Sequence, residues 1–184
     1  MTLGDLLDSR AAAYGEKEAL VFAGSGRVTY RELQTRANEL ADSLLALGVR
    51  EGDRVGLLSP ASVDLVACAF AVAKAGGIGV PVNARFKGHE LSQIITHSGM
   101  AGLVTDGATL ELLTTAVPSL IGSDGSQPLS LPEAPELRHV VLVDADDRPG
   151  CVGASQFGAL TSPEGAVARI QGHLHQGRRN ARTR

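Results

Sequence analysis

Tryptophan is absent from this chain, and only four Phe and two Tyr stand among its 184 residues. So few rings exclude a stacking platform for single-stranded nucleic acid, which needs an aromatic face under successive bases. They also leave the core to Ala, Leu, Val and Ile. The two cysteines, Cys68 and Cys151, cannot make a multi-disulfide framework, and there is no Cys-x-x-Cys. The longest apolar stretch, Leu65 to Ala73, is about half a membrane span. Met1 to Tyr14 carries Asp5, Asp8 and Arg10, so it lacks the apolar core of a signal peptide. The expectation is a chain with no membrane span in the reducing cytoplasm.

Acid is missing from the end of the chain. The last carboxylate is Glu164, and residues 165–184 hold Arg169, Arg178, Arg179, Arg182 and Arg184 with no Asp or Glu. Of 17 basic residues, 17 − 5 leaves 12 against 20 acids, so the body carries 12 − 20 = −8. A basic tail on an acidic body reads as an interaction arm that could track phosphates, or as a solvated tail. The solvated reading is adopted.

What is present is ordinary for a globular domain. A hydrophobic share of 43% and a charged share of 20% exclude wholesale disorder, collagen and coiled coil. The length suits one domain with a real core. Leu3, Leu6, Leu7 and Ala11 share a face, which predicts a helix from Thr2 to Tyr14. Ala19 to Ala23 and Arg27 to Thr29 predict a hairpin, with Gly24-Ser25-Gly26 as its turn. Thr29-Tyr30-Arg31-Glu32 is a capping box before an amphipathic helix, with Gly48 placed to end it. Val55 to Leu58 is a continuous apolar strand, as in a buried parallel sheet. Ser59-Pro60 predicts the start of a helix running to about Ala75. Ile78–Val82, Gly102–Thr105 and His139–Val143 predict strands. Glu90–His97 and Gly107–Val117 predict helices. Pro118 to Pro135 predicts a loop. Helices and strands in alternation predict an α/β fold, with a largely parallel sheet and flanking helices. Residues 1–149 form the expected domain, and 150–184 an Arg/Gly-rich tail without regular structure.

Candidate chemistry is sparse. Gly76-Gly77-Ile78-Gly79 follows a helix and precedes a strand, the reverse of a phosphate loop, so it reads as close helix–strand packing. The Gly-x-Gly at 24–26 opens no helix and reads as a turn. Of His89, His97, His139, His173 and His175, only His173-x-His175 is a close pair, and no neighbouring Cys or acid completes a metal set. Cys68 lies in an apolar run as a small core residue, and Cys151 in a loop without an activating partner. No catalytic, cofactor-binding or metal-binding residue is assigned.

Four segments nevertheless follow one another in a familiar order. They are Val28-Thr29-Tyr30-Arg31-Glu32-Leu33, Gly48-Val49-Arg50-Glu51-Gly52-Asp53-Arg54-Val55, Ala73-Lys74-Ala75-Gly76-Gly77-Ile78-Gly79-Val80-Pro81-Val82-Asn83, and Glu90 to Asp106. Together they resemble the N-terminal part of the acyl-adenylate-forming enzymes, the AMP-dependent synthetase/ligase superfamily, over roughly residues 3–145. The form Val80-Pro81-Val82-Asn83-Ala84-Arg85-Phe86 is most similar to acyl-CoA synthetases acting on fatty or aryl acids. The resemblance implies an incomplete N-terminal subdomain of that fold. It also implies an activity joining a carboxylic acid to the α-phosphate of ATP and then passing the acyl group to CoA, with Mg²⁺.

The family's phosphate loop, Thr-Ser-Gly-Thr-Thr-Gly-x-Pro-Lys-Gly, is not among Ser155 to Arg184. The nearest string, Leu160-Thr161-Ser162-Pro163-Glu164-Gly165, lacks its second half. Two anions meeting in adenylation need a phosphate cradle and cations to offset developing charge. The chain is therefore expected to be a truncated fragment, inactive alone, binding no cofactor itself, and out of register with the family from about Gly150. The alternative is a non-catalytic module that pairs with a complementary fragment. Nucleic acid is not an expected partner.

Overall fold

The computed structural model describes residues 1–22, 26–146, 148–164 and 166–181, with positions 173 and 175–181 described by their backbone. It divides into two compact units. Residues 1–52, 61–77 and 160–184 form the first, and 53–60 and 78–159 the second.

The first unit is helical with one hairpin. Helix α1 (Leu3–Tyr14) starts at a reciprocal box: Asp5 N donates to Thr2 Oγ1 at 3.1 Å and Thr2 N to Asp5 Oδ2 at 2.5 Å. Strands β1 (Glu18–Phe22) and β2 (Gly26–Thr29) pair antiparallel, as expected. Ala23 and the turn at Gly24-Ser25 lie outside the described residues. Helix α2 (Tyr30–Ala46) follows. Its box is formed as read, with Thr29 N donating to Glu32 Oε2 at 2.8 Å and Glu32 N to Thr29 Oγ1 at 3.3 Å. Gly48 ends the helical run at φ +89°, and Val49 N reaches back to Leu44 O at 3.0 Å. Only glycine takes that left-handed position without a Cβ penalty.

Leu33, Ala37, Ala41 and Leu44 form the buried stripe of α2. Ala37 meets Ala67 of α3 (Val63–Lys74) in a core with Leu7 and Leu33, and Leu20, Val28 and Phe70 pack around it. Alanine on both helices lets them approach closely. Helix α3 corrects the sequence reading at its start. Ser62, not Ser59, is its cap, accepting from Leu65 N at 3.1 Å. The hydroxyl of Ser59 is taken by a partner far along the chain, described below.

The second unit holds the sheet. Strands β3 (Arg54–Leu58), β4 (Ile78–Pro81), β5 (Met100–Thr105) and β6 (His139–Leu142) lie in the order β4-β3-β5-β6, every pair parallel. Helices α4 (Gly88–Ser98) and α5 (Leu110–Ala116) close onto it. Leu91, Ile95, Leu113 and Ala116 from these helices share one core with Leu58, Met100, Leu103, Val140 and Leu142 from the sheet. All six residues of β5 are buried, as in the middle of a parallel sheet covered on both faces. The α/β class and the parallel sheet are as expected. The stretch read as a loop after α5 carries a short 3-10 turn at Pro118–Gly122.

Residues 150–184 differ from the expected tail. Val152 makes a parallel bridge with Val141, its N–H donating to Val140 O at 2.8 Å, and both Cys151 and Val152 are buried. Helices α6 (Ala154–Ala159) and α7 (Ala166–Ala181) follow. The bridge and the six-residue α6 are too short to print a period in the sequence.

Candidate functional site

In an open parallel sheet, ligands favour the carboxyl ends of the strands where the strand order reverses. Here the chain leaves β3 to form β4 on one side and returns to form β5 on the other. The reversal therefore lies between β3 and β5. Residues just past those strand ends build a polar cluster that the sequence reading did not single out.

Asp106 is its centre. Ser59 Oγ donates to Asp106 Oδ2 at 2.6 Å. Thr109 N and Thr109 Oγ1 reach Asp106 Oδ1 at 2.9 and 2.8 Å. The same Thr109 hydroxyl lies 3.1 Å from Leu58 O and 2.7 Å from Thr105 Oγ1. Beside them, Asp144 Oδ1 accepts from Gly107 N at 2.9 Å. Ser59, Thr105 and Thr109 are buried. The cluster ties the ends of β3, β5 and β6 together. Both oxygens of Asp106 face protein donors, and the charge presented is negative. That arrangement does not fit a nucleotide phosphate, which needs N–H groups and cations aimed outward. Only a local Asp-x-x-Thr signal was present in the sequence. The Ser59 partner lies 47 positions away.

An open cleft of about 570 Å³ lies between residues 123–126 and the stretch from Asp146 to Gln156. The two carboxylates among its described lining residues are bonded within the protein. Asp146 accepts from Ser155 N at 2.8 Å and Ser155 Oγ at 2.6 Å, and Asp124 from Ser126 N at 2.9 Å. Hydrogen bonds from the Ser155 hydroxyl and N–H hold the Asp146 carboxyl below its usual range, and bonds from Ser126, the backbone N–H first, do the same for Asp124.

The residues weighed from sequence are dispersed. Cys68 lies within α3 at 1% exposure. Burial, then the Asp64 charge, pushes its thiol up to about 12. Burial pushes Cys151 up to about 11, partly countered by Arg148. Neither sulfur is a thiolate at neutral pH, so neither is primed as a nucleophile. His89 and His97 are exposed on α4, and His139 is half-buried at the start of β6. The side chains of His173, His175, Arg178 and Arg179, and residues Arg182 and Arg184, lie outside the description. Arg169 donates to Glu164 O at 3.0 Å. Among the described residues no group of three His, Cys, Asp or Glu is placed to hold a metal, and no helix is long and apolar enough to cross a membrane. Gly76, at φ +80°, closes α3, and Gly77 N reaches Val72 O at 2.9 Å, which makes this segment a helix end.

The fold has counterparts. The crotonobetaine/carnitine–CoA ligase of Escherichia coli O1:K1 is 32% identical over 173 residues, covering 90% of this chain and 30% of that protein. That of Salmonella typhimurium is 31% identical over 169 residues, with the same shares. The anthranilate–CoA ligase AuaEII, solved with anthranoyl-AMP, superposes with a TM-score of 0.73 at 25% identity, over 88% of this chain and 28% of that one. The N-terminal domain of FACL13 from Mycobacterium tuberculosis gives 0.69 at 27% identity, over 89% and 37%. The chain thus spans about 30% of the length of the curated relatives it matches. The family model described as AMP-binding enzyme matches residues 7–162, which runs past Gly150 and corrects the expected loss of register there. With that match over most of its length, the chain belongs to the AMP-binding enzyme family.

Proposed function

We propose that this chain supplies the N-terminal scaffold of an ATP-dependent acyl-CoA synthetase and holds none of the reacting groups. The whole reaction would join a carboxylic acid to ATP as acyl-AMP and then transfer the acyl group to CoA, in the cytoplasm. The observation that carries this reading is the family match over residues 7–162, set against a polar cluster whose carboxylates are bonded within the protein. ATP, Mg²⁺ and CoA then belong to the complete architecture. The test is AMP release from the purified chain with ATP, Mg²⁺, CoA and a panel of fatty and aryl acids. The expected result is no acid-dependent AMP. Acid- and CoA-dependent turnover would refute it.

A second reading is a module that pairs with a complementary fragment. The outer edge of β4 favours it, because β4 pairs only with β3 among the described strands and Ile78 on it is 51% exposed. Pro81 limits that edge, since it has no N–H to offer a further strand. Co-purification with the remainder of an acyl-CoA ligase, and AMP release by the mixture alone, would establish it.

A further inference from the structure

The one buried ammonium of the first unit belongs to α3, against which α7 packs. Lys74, the last residue of α3, is 1% exposed, and its Nζ lies 2.6 Å from Asp8 Oδ1. Gly4 on α1 lies against both its aliphatic stem and the side chain of Gln171 on α7. A Cβ at Gly4 would stand 2.9 Å from Lys74 Cγ and 3.0 Å from Gln171 Nε2. One position along α7, Ile170 Cγ2 would stand 2.9 Å from a Cβ at Gly76, just past Lys74. The approach to α7 is held as well. Ser43 Oγ donates to Leu160 O at 3.1 Å, and Ser162 Oγ to Asp42 Oδ1 at 2.7 Å. Side chains of α7 therefore pack against both glycines, and a larger residue at either one would have to displace them.

We infer that residues 160–164 and 166–172 act as a strap that closes a helix seat on the first unit and keeps the amine of Lys74 from solvent. Among the described residues, two hydroxyl bonds and the side chains of Ile170 and Gln171 tie the strap down. Few buried contacts make a segment open more easily than the core beneath it. Release of the strap then uncovers the seat and the Lys74 amine while α1, α2 and α3 stay folded.

The sequence makes the test clean, because the chain has only three lysines: Lys17, Lys74 and Lys87. Lys17 and Lys87 are exposed and serve as internal standards. The intact chain, Ile170→Asp, and a form ending after Ala159 are treated with N-hydroxysuccinimidyl acetate. The amine attacks the ester carbonyl, N-hydroxysuccinimide leaves, and the amine proton passes to buffer. Acetylation at each lysine is followed by mass spectrometry, with hydrogen exchange along α2 as the measure of folding. The expected result is a rise of about tenfold or more in the Lys74 rate relative to Lys17 in both altered forms, with α2 still protected. Unchanged protection of Lys74 overturns the strap. Loss of α2 protection together with Lys74 in both forms also overturns it, because opening is then global.

Discussion

Removing Asp8 is expected to cost far more than removing the lysine it faces. The Nζ–Oδ1 distance of 2.6 Å corresponds to about 6 kcal/mol of attraction at an effective dielectric near 20. Most of that is offset by taking an ammonium that is 1% exposed out of water, and the 34% exposure of Asp8 screens the rest. Asp8→Ala leaves a buried cation without its carboxylate. Gln34, which donates to the same carboxylate at 2.7 Å, offers its own amide oxygen as a weaker replacement. We expect a loss of about 3 kcal/mol. Lys74→Met removes the charge and keeps most of the stem, leaving Asp8 with Gln34 and water, at a cost of about 1 kcal/mol. The double variant lacks the charge altogether, so it should lose about 2 kcal/mol rather than the sum. The assay is urea unfolding followed by far-UV circular dichroism, since there is no Trp to report. Additivity of the two single losses to within about 0.5 kcal/mol would refute the pairing.

Three further outcomes follow from the same coordinates. Gly150→Ala should destabilise by about 3 kcal/mol, because φ is +71° and a Cβ would stand 2.4 Å from Leu120 O; Gly122→Ala, with nothing within 4 Å, should change the urea midpoint little. Both thiols should resist an aromatic disulfide reagent near pH 8, Cys151 by about a hundredfold and Cys68 by about a thousandfold relative to urea-unfolded chain; prompt labelling of Cys68 in folded protein would contradict its burial. Bonds from the Ser119 hydroxyl, the Ser155 hydroxyl and the Ser126 backbone hold Glu133, Asp146 and Asp124 below their ordinary values. Their stabilising contribution is therefore complete above the unfolded carboxylate range near pH 4 and lost as pH falls through the lower folded values. Ser119→Ala with Ser155→Ala should make the acid side of a urea-midpoint-versus-pH curve shallower, and an unchanged slope would refute the assignment.

Local signals carried well from sequence to structure. Thr2, Thr29 and Gly48 lie where the chain itself states a cap, and each makes the expected bond or turn within five positions. Where a long-range bond competes with a local signal, sequence alone cannot decide. Ser59-Pro60 reads as the helix start, yet Ser62 makes the cap. Asp106, 47 positions on, captures the Ser59 hydroxyl, and that long-range bond leaves Ser62 as the cap. The strand order was equally illegible, since apolar runs of equal character at β3, β4, β5 and β6 do not say which one turns back past β3. The polar cluster was missed for the same reason, because its members gather only when that reversal brings Leu58, Thr105 and Val143 to one edge. Its chemistry then follows from counting partners. Asp106 takes one hydroxyl on one oxygen and an N–H and a hydroxyl on the other, all from its own chain. A carboxylate so occupied holds loops in place, and its bonds to Ser59 and Thr109 tie the ends of β3 and β5 together. Ser59→Ala should therefore loosen the end of β3, visible as faster hydrogen exchange at Leu58 and Thr105, while leaving the pairing of β5 with β6 protected. Equal acceleration across all four strands would mean that the cluster is part of the core rather than a clasp at its edge.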